Sequence, residues 1–292
     1  MPKSPPLLTA AEVQRMIPRR PLDAHKGQSG HVLIVAGSRG MSGAAVLTAR
    51  GALRAGAGLV TVAIAASEQP VVTHQIPEAL TLLLPDSPAG VITDGALAVL
   101  VNYLEERAIS ALAVGPGLSV GSGVAHVVRG ILKDWEQPLV LDADGLNNIN
   151  VADLGGDYPR LIITPHPGEL AHLLKIERDA VKRDRVRVAE NTAQDHQLVC
   201  VLKGRHTVIT DGKHTCLNPT GNPAMATGGM GDVLTGMIAS FLAQGLGALE
   251  AACAGVYLHG LAGDLDRISD RGLLASDVAD AVPRALAQIG VK

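Results

Sequence analysis

The chain has 292 residues, 47% hydrophobic and 18% charged, with a formal net charge of −3 and a pI near 6.4. That balance supplies apolar surface for a large core and no basic field for a polyphosphate backbone, which excludes nucleic acid as a partner class. One Phe, three Tyr and one Trp leave the core to aliphatic and alanine side chains.

Apolar runs are broken by Gly or charge well short of the ~20 residues a membrane helix needs, and Met1–Pro6 carries no apolar signal core. No membrane association and a cytoplasmic location are therefore expected. Cys200, Cys216 and Cys253 are odd in number, widely spaced and outside any CxxC pair, so neither a disulfide framework nor a zinc site is expected.

Thr9 and Glu12 have capping-box spacing and open a short helix that ends before Pro18. A Pro-rich, basic arm then runs to Lys26, and residues 1–25 read as a lead-in to one domain spanning 1–292. From His31 onward, short aliphatic runs alternate with longer segments of helical period, the pattern of an α/β fold with a mostly parallel central sheet and helices on both faces. Strands are expected at Val32–Ala36, Leu59–Ala65, Leu80–Leu84, Ala111–Val114, Leu139–Leu141, Leu161–Ile163 and Leu198–Leu202, then a polar hairpin at Thr207–Thr210 turning at Asp211-Gly212. Helices are expected at Ala44–Ala55, Gly95–Arg107, Val124–Trp135, Val181–His196, Val233–Ala243, Leu249–Asp264 and Ser276–Ile289. The charged group Lys182, Arg183, Asp184, Arg185 and Arg187 reads as a solvated helix face.

Ligands of open parallel sheets sit beyond the carboxyl ends of the strands. Here those ends lead into Gly37–Gly43, Gly115-Pro116-Gly117, Asp142-Ala143-Asp144, Thr164–Glu169 and Lys203-Gly204. Any one of these loops, taken alone, is a tight turn; five of them at one edge of a sheet make a site. The sharpest element is Ala226-Thr227-Gly228-Gly229-Met230-Gly231-Asp232, which runs straight into an apolar helix. Its glycines let backbone N–H groups crowd an anion, and the helix start adds partial positive charge. Asp232 in a first helical turn stabilises by about 0.5 kcal/mol, but a carboxylate beside a phosphate cradle repels the phosphate unless it has chemical work. The reading adopted is a general base. There is no GxxxxGK[ST] and no GxGxxG opening a first βα unit, which argues against a Walker loop and a Rossmann dehydrogenase.

Taken together, these motifs with Lys26–His31, Asp142–Asn147, Pro165–Glu169, Lys203–Thr207 and Gly221–Asp232 resemble the ADP- or ATP-dependent NAD(P)H-hydrate dehydratases of the ribokinase-like superfamily, over Lys26 to about Asp264. The resemblance implies a ribokinase-like fold. It also implies Mg²⁺ as cofactor, ADP or ATP as phosphoryl donor, and a substrate that is the S form of NADH or NADPH hydrated on its nicotinamide ring. By the same resemblance Ala44, Ala45, Gly117, His166 and Asp232 contact the hydrated dinucleotide. Lys203, Gly204, Arg205, His206, Thr207, Gly228, Gly229 and Gly231 hold the nucleotide. Glu169 stands where ribokinase-like kinases use Asn-x-x-Glu to arrange Mg²⁺ and its waters; with His166 in place of that Asn, its link to metal runs through water and no direct ligand is assigned. Ala224 replaces a usual Gly, and Ser29 stands where a bulky residue is frequent. The resemblance further implies a homotetramer and a separate epimerase acting upstream, residues 1–25 being too short to be one. A ribokinase-like kinase that phosphorylates a vitamin precursor is the alternative, and a non-catalytic nucleotide sensor a more distant one.

Overall fold

The computed structural model describes residues 4–135, 137–154 and 160–291. Nine strands form one sheet in the order β3-β2-β1-β4-β5-β6-β7-β8-β9. They are β1 (His31–Val35), β2 (Leu59–Ala65), β3 (Leu80–Leu84), β4 (Ala111–Val114), β5 (Leu139–Leu141), β6 (Leu161–Ile163), β7 (Val199–Leu202), β8 (Val208–Thr210) and β9 (Thr215–Leu217). The first seven pair in parallel, and β7-β8-β9 are antiparallel.

The period of two along each strand divides the apolar side chains between two cores. Val32, Ile34, Val62, Ala113 and Val140 face one core with α2 (Ser42–Arg54), α10 (Met230–Ala243), α11 (Ala248–Leu265) and α12 (Ala275–Gln288). Leu33, Val35, Leu112, Leu139 and Leu141 face the other with α4 (Ala96–Glu106), α5 (Ser122–Asp134), α7 (Pro167–Leu174) and α9 (Arg185–His196). Helices therefore cover both faces, as the near-continuous apolar strands require. The contact between α2 and α10 is unusually close: a Cβ at Gly236 would stand 1.9 Å from the Thr48 carbonyl oxygen, and one at Gly51 2.3 Å from that of Val233. Only glycines permit this approach, and it fixes the start of α10 against the loop after β1.

The lead-in behaves as its sequence suggests. Thr9 and Glu12 form a reciprocal capping box on α1 (Ala10–Met16), and Leu8 N donates to Leu217 O at 3.0 Å, adding the arm to the edge of β9.

Three elements differ from expectation. The helix expected over Val181–His196 is two helices, α8 (Arg178–Arg183) and α9, because Asp184 takes φ −141°, ψ 68° and its carboxylate accepts from Arg187 N as a new N-cap. Arg185 therefore leaves the solvated face: it is half-buried, with its guanidinium donating to the Leu202, Lys203 and Arg205 carbonyls. A further helix, α3 (Gln69–Gln75), begins around Pro70 in a stretch read as loop, and α6 (Asp144–Asn147) follows β5 directly. Among the described residues no helix is long and apolar enough to cross a membrane.

Candidate active site

The chain runs outward through β1, β2 and β3 and returns on the other side at β4, so strand order reverses between β1 and β4. Crevices at such reversals receive ligands in open α/β sheets. Two loops meet there. Gly37 N donates to Pro116 O at 2.8 Å, and the Ser38 hydroxyl donates to Gly117 O at 2.8 Å. A Cβ on Gly117 would lie 2.9 Å from that of Ala44, so the structure brings these two expected substrate residues into contact. Ala45 points elsewhere: it is fully buried under Gly37 in the core, leaving Ala44 as the member of the pair at the surface of the crevice.

Lys203, at the end of β7, forms the centre of the charged group. Its ammonium donates to Asp142 Oδ1 at 2.6 Å and stands 3.8 Å from Glu169 Oε2. Asp142, buried at the end of β5, accepts also from the Thr235 hydroxyl of α10 at 2.7 Å. Burial works against the Lys203 charge, but the carboxylates of Asp142, Glu169 and Asp232 outweigh it and hold the ammonium above its usual pKa. A Cβ on Gly231 would be 3.3 Å from Lys203 Nζ, so the start of α10 and the lysine converge on one point.

Asp232 lies in the first turn of α10, one residue beyond Gly231. Burial, then the charges of Asp142, Asp144 and Glu169, push its pKa up to about 7 against the opposing pull of Lys203. Its carboxylate is thus poised to exchange a proton near neutral pH. Gly229, the N-cap, takes φ 87°, a left-handed conformation that turns the chain into the helix at little cost only for glycine. The first amides of α10 lack intrahelical partners and open beside Lys203.

His166 and Glu169 hold each other. The Nδ1 of His166 accepts from Gly168 N at 2.9 Å and Glu169 N at 3.0 Å, while Glu169 Oε2 accepts from His166 N at 2.7 Å. With Nδ1 accepting, Nε2 carries the proton; it faces Glu169 Oε1 at 3.5 Å, and the side chain is 54% exposed. The imidazole thus caps α7 with one nitrogen and turns the other toward Glu169 on a half-exposed ring. Glu169 is committed to the same cap and to Lys203.

On the far side of Lys203 a cavity of about 860 Å³ opens. The loop Lys203–Thr207 and Gly231 line it, whereas Gly228 and Gly229 lie outside its wall, as do Asp232, Ala44, Gly117 and His166. The residues expected from the sequence to hold the nucleotide and those expected to hold the substrate therefore fall largely on two sides of the α10 start. Residues 218–222 and the α11 residues Val256, His259 and Gly260 close the back. His259 is buried with Nε2 unpartnered, and burial drives its pKa down to about 4, so it is neutral at physiological pH.

Thr235, Arg185 and His259 carry no motif that marks them in the sequence as site members, whereas Asp142 stands in one of the five strand-end loops. Asp142 and Thr235 are 93 positions apart and Asp142 and Lys203 61, beyond any local spacing rule. The position of Asp142 at the end of an apolar strand was the one available signal.

A family model described as NAD(P)H-hydrate dehydratase matches residues 32–284. A bifunctional NAD(P)H-hydrate repair enzyme from Moorella thermoacetica is 44% identical over 286 residues, covering 96% of this chain and 53% of the relative; the chain thus spans about half the length of the bifunctional relatives it matches. The ADP-dependent (S)-NAD(P)H-hydrate dehydratase of Bacillus subtilis is 36% identical over 282 residues, covering 96% of this chain and 97% of the relative. A crystal structure of the ADP/ATP-dependent NAD(P)H-hydrate dehydratase from Bacillus subtilis, co-crystallised with ATP and Mg²⁺, superposes with a TM-score of 0.84 at 33% identity, over 97% of this chain and 98% of the other. The architecture is the ribokinase-like one expected from the sequence. The chain belongs to the NAD(P)H-hydrate dehydratase family.

Proposed function

We propose that this protein restores NADH and NADPH from the S form of their hydrated derivatives, using ADP or ATP to phosphorylate the ring hydroxyl and eliminating it as phosphate. The observation that carries this reading is the convergence of Asp232, with its pKa pushed to about 7, and the Lys203 ammonium at the glycine-rich start of α10. A general base, an anion cradle and a cation meet where a hydroxyl and a terminal phosphoryl must meet.

Hydroxide is a poor leaving group, and phosphorylation removes that difficulty. Asp232 takes the hydroxyl proton as the oxygen attacks the phosphorus. The backbone amides of Gly228–Gly231, leading into α10, and the Lys203 charge stabilise the transferring phosphoryl. Electron density from the ring nitrogen then expels phosphate, and loss of a proton from the ring carbon next to the departed group forms the C=C bond and restores the dihydronicotinamide. The loop Lys203, Gly204, Arg205, His206 and Thr207 holds the nucleotide in the 860 Å³ cavity. Ala44, Gly117 and His166 position the hydrated ring in the β1/β4 crevice, with Ala45 supporting Ala44 from the core.

Mg²⁺ suits this donor set as a companion of the phosphates. Among the described residues no three His, Cys, Asp or Glu side chains cluster as a cage, while Asp142 and Glu169 present carboxylates beside Lys203. When bound, the ion would supply charge neutralisation at the transferring phosphoryl, and Glu169 is the residue that would help hold it, through water. The reading extends to a single cytoplasmic domain that assembles as a homotetramer and receives the S hydrate from an epimerase; light scattering tests the tetramer.

Purified protein mixed with hydrated NADH, Mg²⁺ and either ADP or ATP tests the activity. A nucleotide-dependent rise at the reduced-nicotinamide band with free phosphate is expected. A stable phosphorylated product without that rise assigns the chain to small-molecule kinase chemistry instead.

A further inference from the structure

Cys216 is the middle residue of β9 and Cys253 lies in the second turn of α11. Although 37 positions apart in sequence, their sulfurs stand 3.5 Å from each other as free thiols. Cys216 is half-buried and Cys253 buried, so an attacking thiol is reachable while its partner is shielded. The shared hydrogen bond lowers the pKa of Cys216 and raises that of Cys253, with the Glu12 carboxylate of α1 acting against both thiolates and Glu250 of α11 against that of Cys253. Cys200 contrasts with them: it is fully buried on β7, and burial pushes its thiol up to about 12.

The two elements that carry the pair are also the back wall of the nucleotide cavity. From Cys216 the chain passes directly to residues 218–222, and α11 continues from Cys253 to Val256, His259 and Gly260. Hydrogen bonds already join the two segments: Asn218 Nδ2 donates to Val256 O at 3.4 Å, and the Thr220 hydroxyl donates to Tyr257 O at 2.8 Å.

We propose that Cys216 and Cys253 form a hydroperoxide-reactive dithiol that closes to an intramolecular disulfide and, in closing, displaces the back wall of the nucleotide cavity. The Cys216 thiolate attacks one peroxide oxygen; the O–O bond breaks, an S–O bond forms, and the departing hydroxide takes up a proton to give water. Cys253 then attacks the sulfenic sulfur, its proton leaving with the displaced hydroxide as a second water. The thiol pair loses two electrons and the peroxide gains them. The sulfurs must close from 3.5 Å to a bond of about 2.05 Å, which draws β9 and α11 together behind the nucleotide. The second half of the proposal rests on the nucleotide reading of the cavity.

The full chain is reduced, treated with stoichiometric hydrogen peroxide, alkylated, digested and mapped by mass spectrometry. The expected product is a peptide linking Cys216 to Cys253, lighter by two hydrogens, with Cys200 still alkylatable after unfolding. Cys253→Ser is expected to stop at a Cys216 sulfenic acid that a cyclic dione captures, and Cys216→Ser to form neither. ADP affinity is measured on reduced, oxidised and re-reduced protein. A loss on the order of tenfold on oxidation is expected, equivalent to about 1.4 kcal/mol of binding, reversed by dithiothreitol and absent in Cys253→Ser. Thiols that both stay alkylatable, a disulfide that joins two chains, or oxidised protein that binds ADP as tightly as reduced protein overturns the proposal. Reduced protein that binds no ADP overturns the nucleotide reading instead, and the mapped cross-link still decides the thiol chemistry.

Discussion

Lys203 Nζ lies 2.6 Å from Asp142 Oδ1, so the ammonium beside the start of α10 is oriented by a carboxylate that itself has almost no access to water. Removing one partner strands the other. Lys203→Met is expected to lower nucleotide-dependent kcat/KM by about 10²-fold or more and to cost about 3 kcal/mol of stability. Steady-state kinetics and urea denaturation measure the two effects. A variant with unchanged kcat/KM would remove Lys203 from phosphoryl stabilisation.

Asp232 gives a pH dependence whose sign is fixed. Its folded pKa, about 7, lies above the usual aspartate value of 3.8, so the folded state binds the proton more tightly. The stability this contributes is present below the unfolded pKa and is lost as pH rises through about 7. As a base, Asp232 must be deprotonated, so kcat/KM is expected to rise through the same range and level off above it. Asp232→Asn is then expected to raise Tm above pH 7 while turnover falls by orders of magnitude, with thermal melts and pH–rate profiles as the readouts. A Tm that falls with the same substitution contradicts the burial argument.

His166 separates two roles within one side chain. Nδ1 caps α7, while Nε2–H stands 3.5 Å from Glu169 Oε1 on a half-exposed ring and is the group proposed to meet the substrate. His166→Asn supplies a capping oxygen but no Nε2–H, so Tm is expected to stay close to the parent value while KM for the hydrated dinucleotide rises. His166→Ala is expected to lose about 1 kcal/mol as well. Equal KM in all three proteins reduces His166 to its cap.

Ala143 takes φ 48°, ψ −120° between Asp142 and Asp144. That backbone costs a non-glycine residue of order 1–3 kcal/mol, and here it aims two carboxylates toward the site. Ala143→Gly removes the strain at an unfolded-state entropy cost of about 0.5–1 kcal/mol, so a modest net gain in stability is expected in denaturant unfolding. Net loss would show that the conformation is unstrained in its surroundings.

The sheet was legible because buried parallel strands read as nearly uninterrupted aliphatic runs: β2, β4, β5 and β6 carry the bounds expected of them, and so does the edge strand β3, aliphatic although Leu80 and Leu83 are exposed. Errors arose where a local capping choice overrode periodicity. Asp184 breaks a continuous helical pattern by capping a new helix, and with that break Arg185 swings from solvent to the carbonyls of the β7 loop. The loops that form the candidate site were likewise visible one at a time, as polar ends of strands. What joins them was not: the Lys203–Asp142–Thr235 bridge, the burial that lifts Asp232 and the Cys216–Cys253 contact all link positions far apart in the chain. Ala44 and Ala45, identical in type and adjacent, can be told apart only once Ala45 is seen packed in the core under Gly37.

The central claim is that the ring hydroxyl leaves as part of phosphate. Hydrated NADH carrying ¹⁸O in that hydroxyl, turned over with Mg²⁺ and ADP or ATP, tests it directly by mass spectrometry of the released phosphate. One ¹⁸O atom in each phosphate formed, in step with recovered nicotinamide absorbance, is the predicted result. Unlabelled phosphate, with the ¹⁸O found in water, would show that the hydroxyl departs without being phosphorylated and would contradict the account.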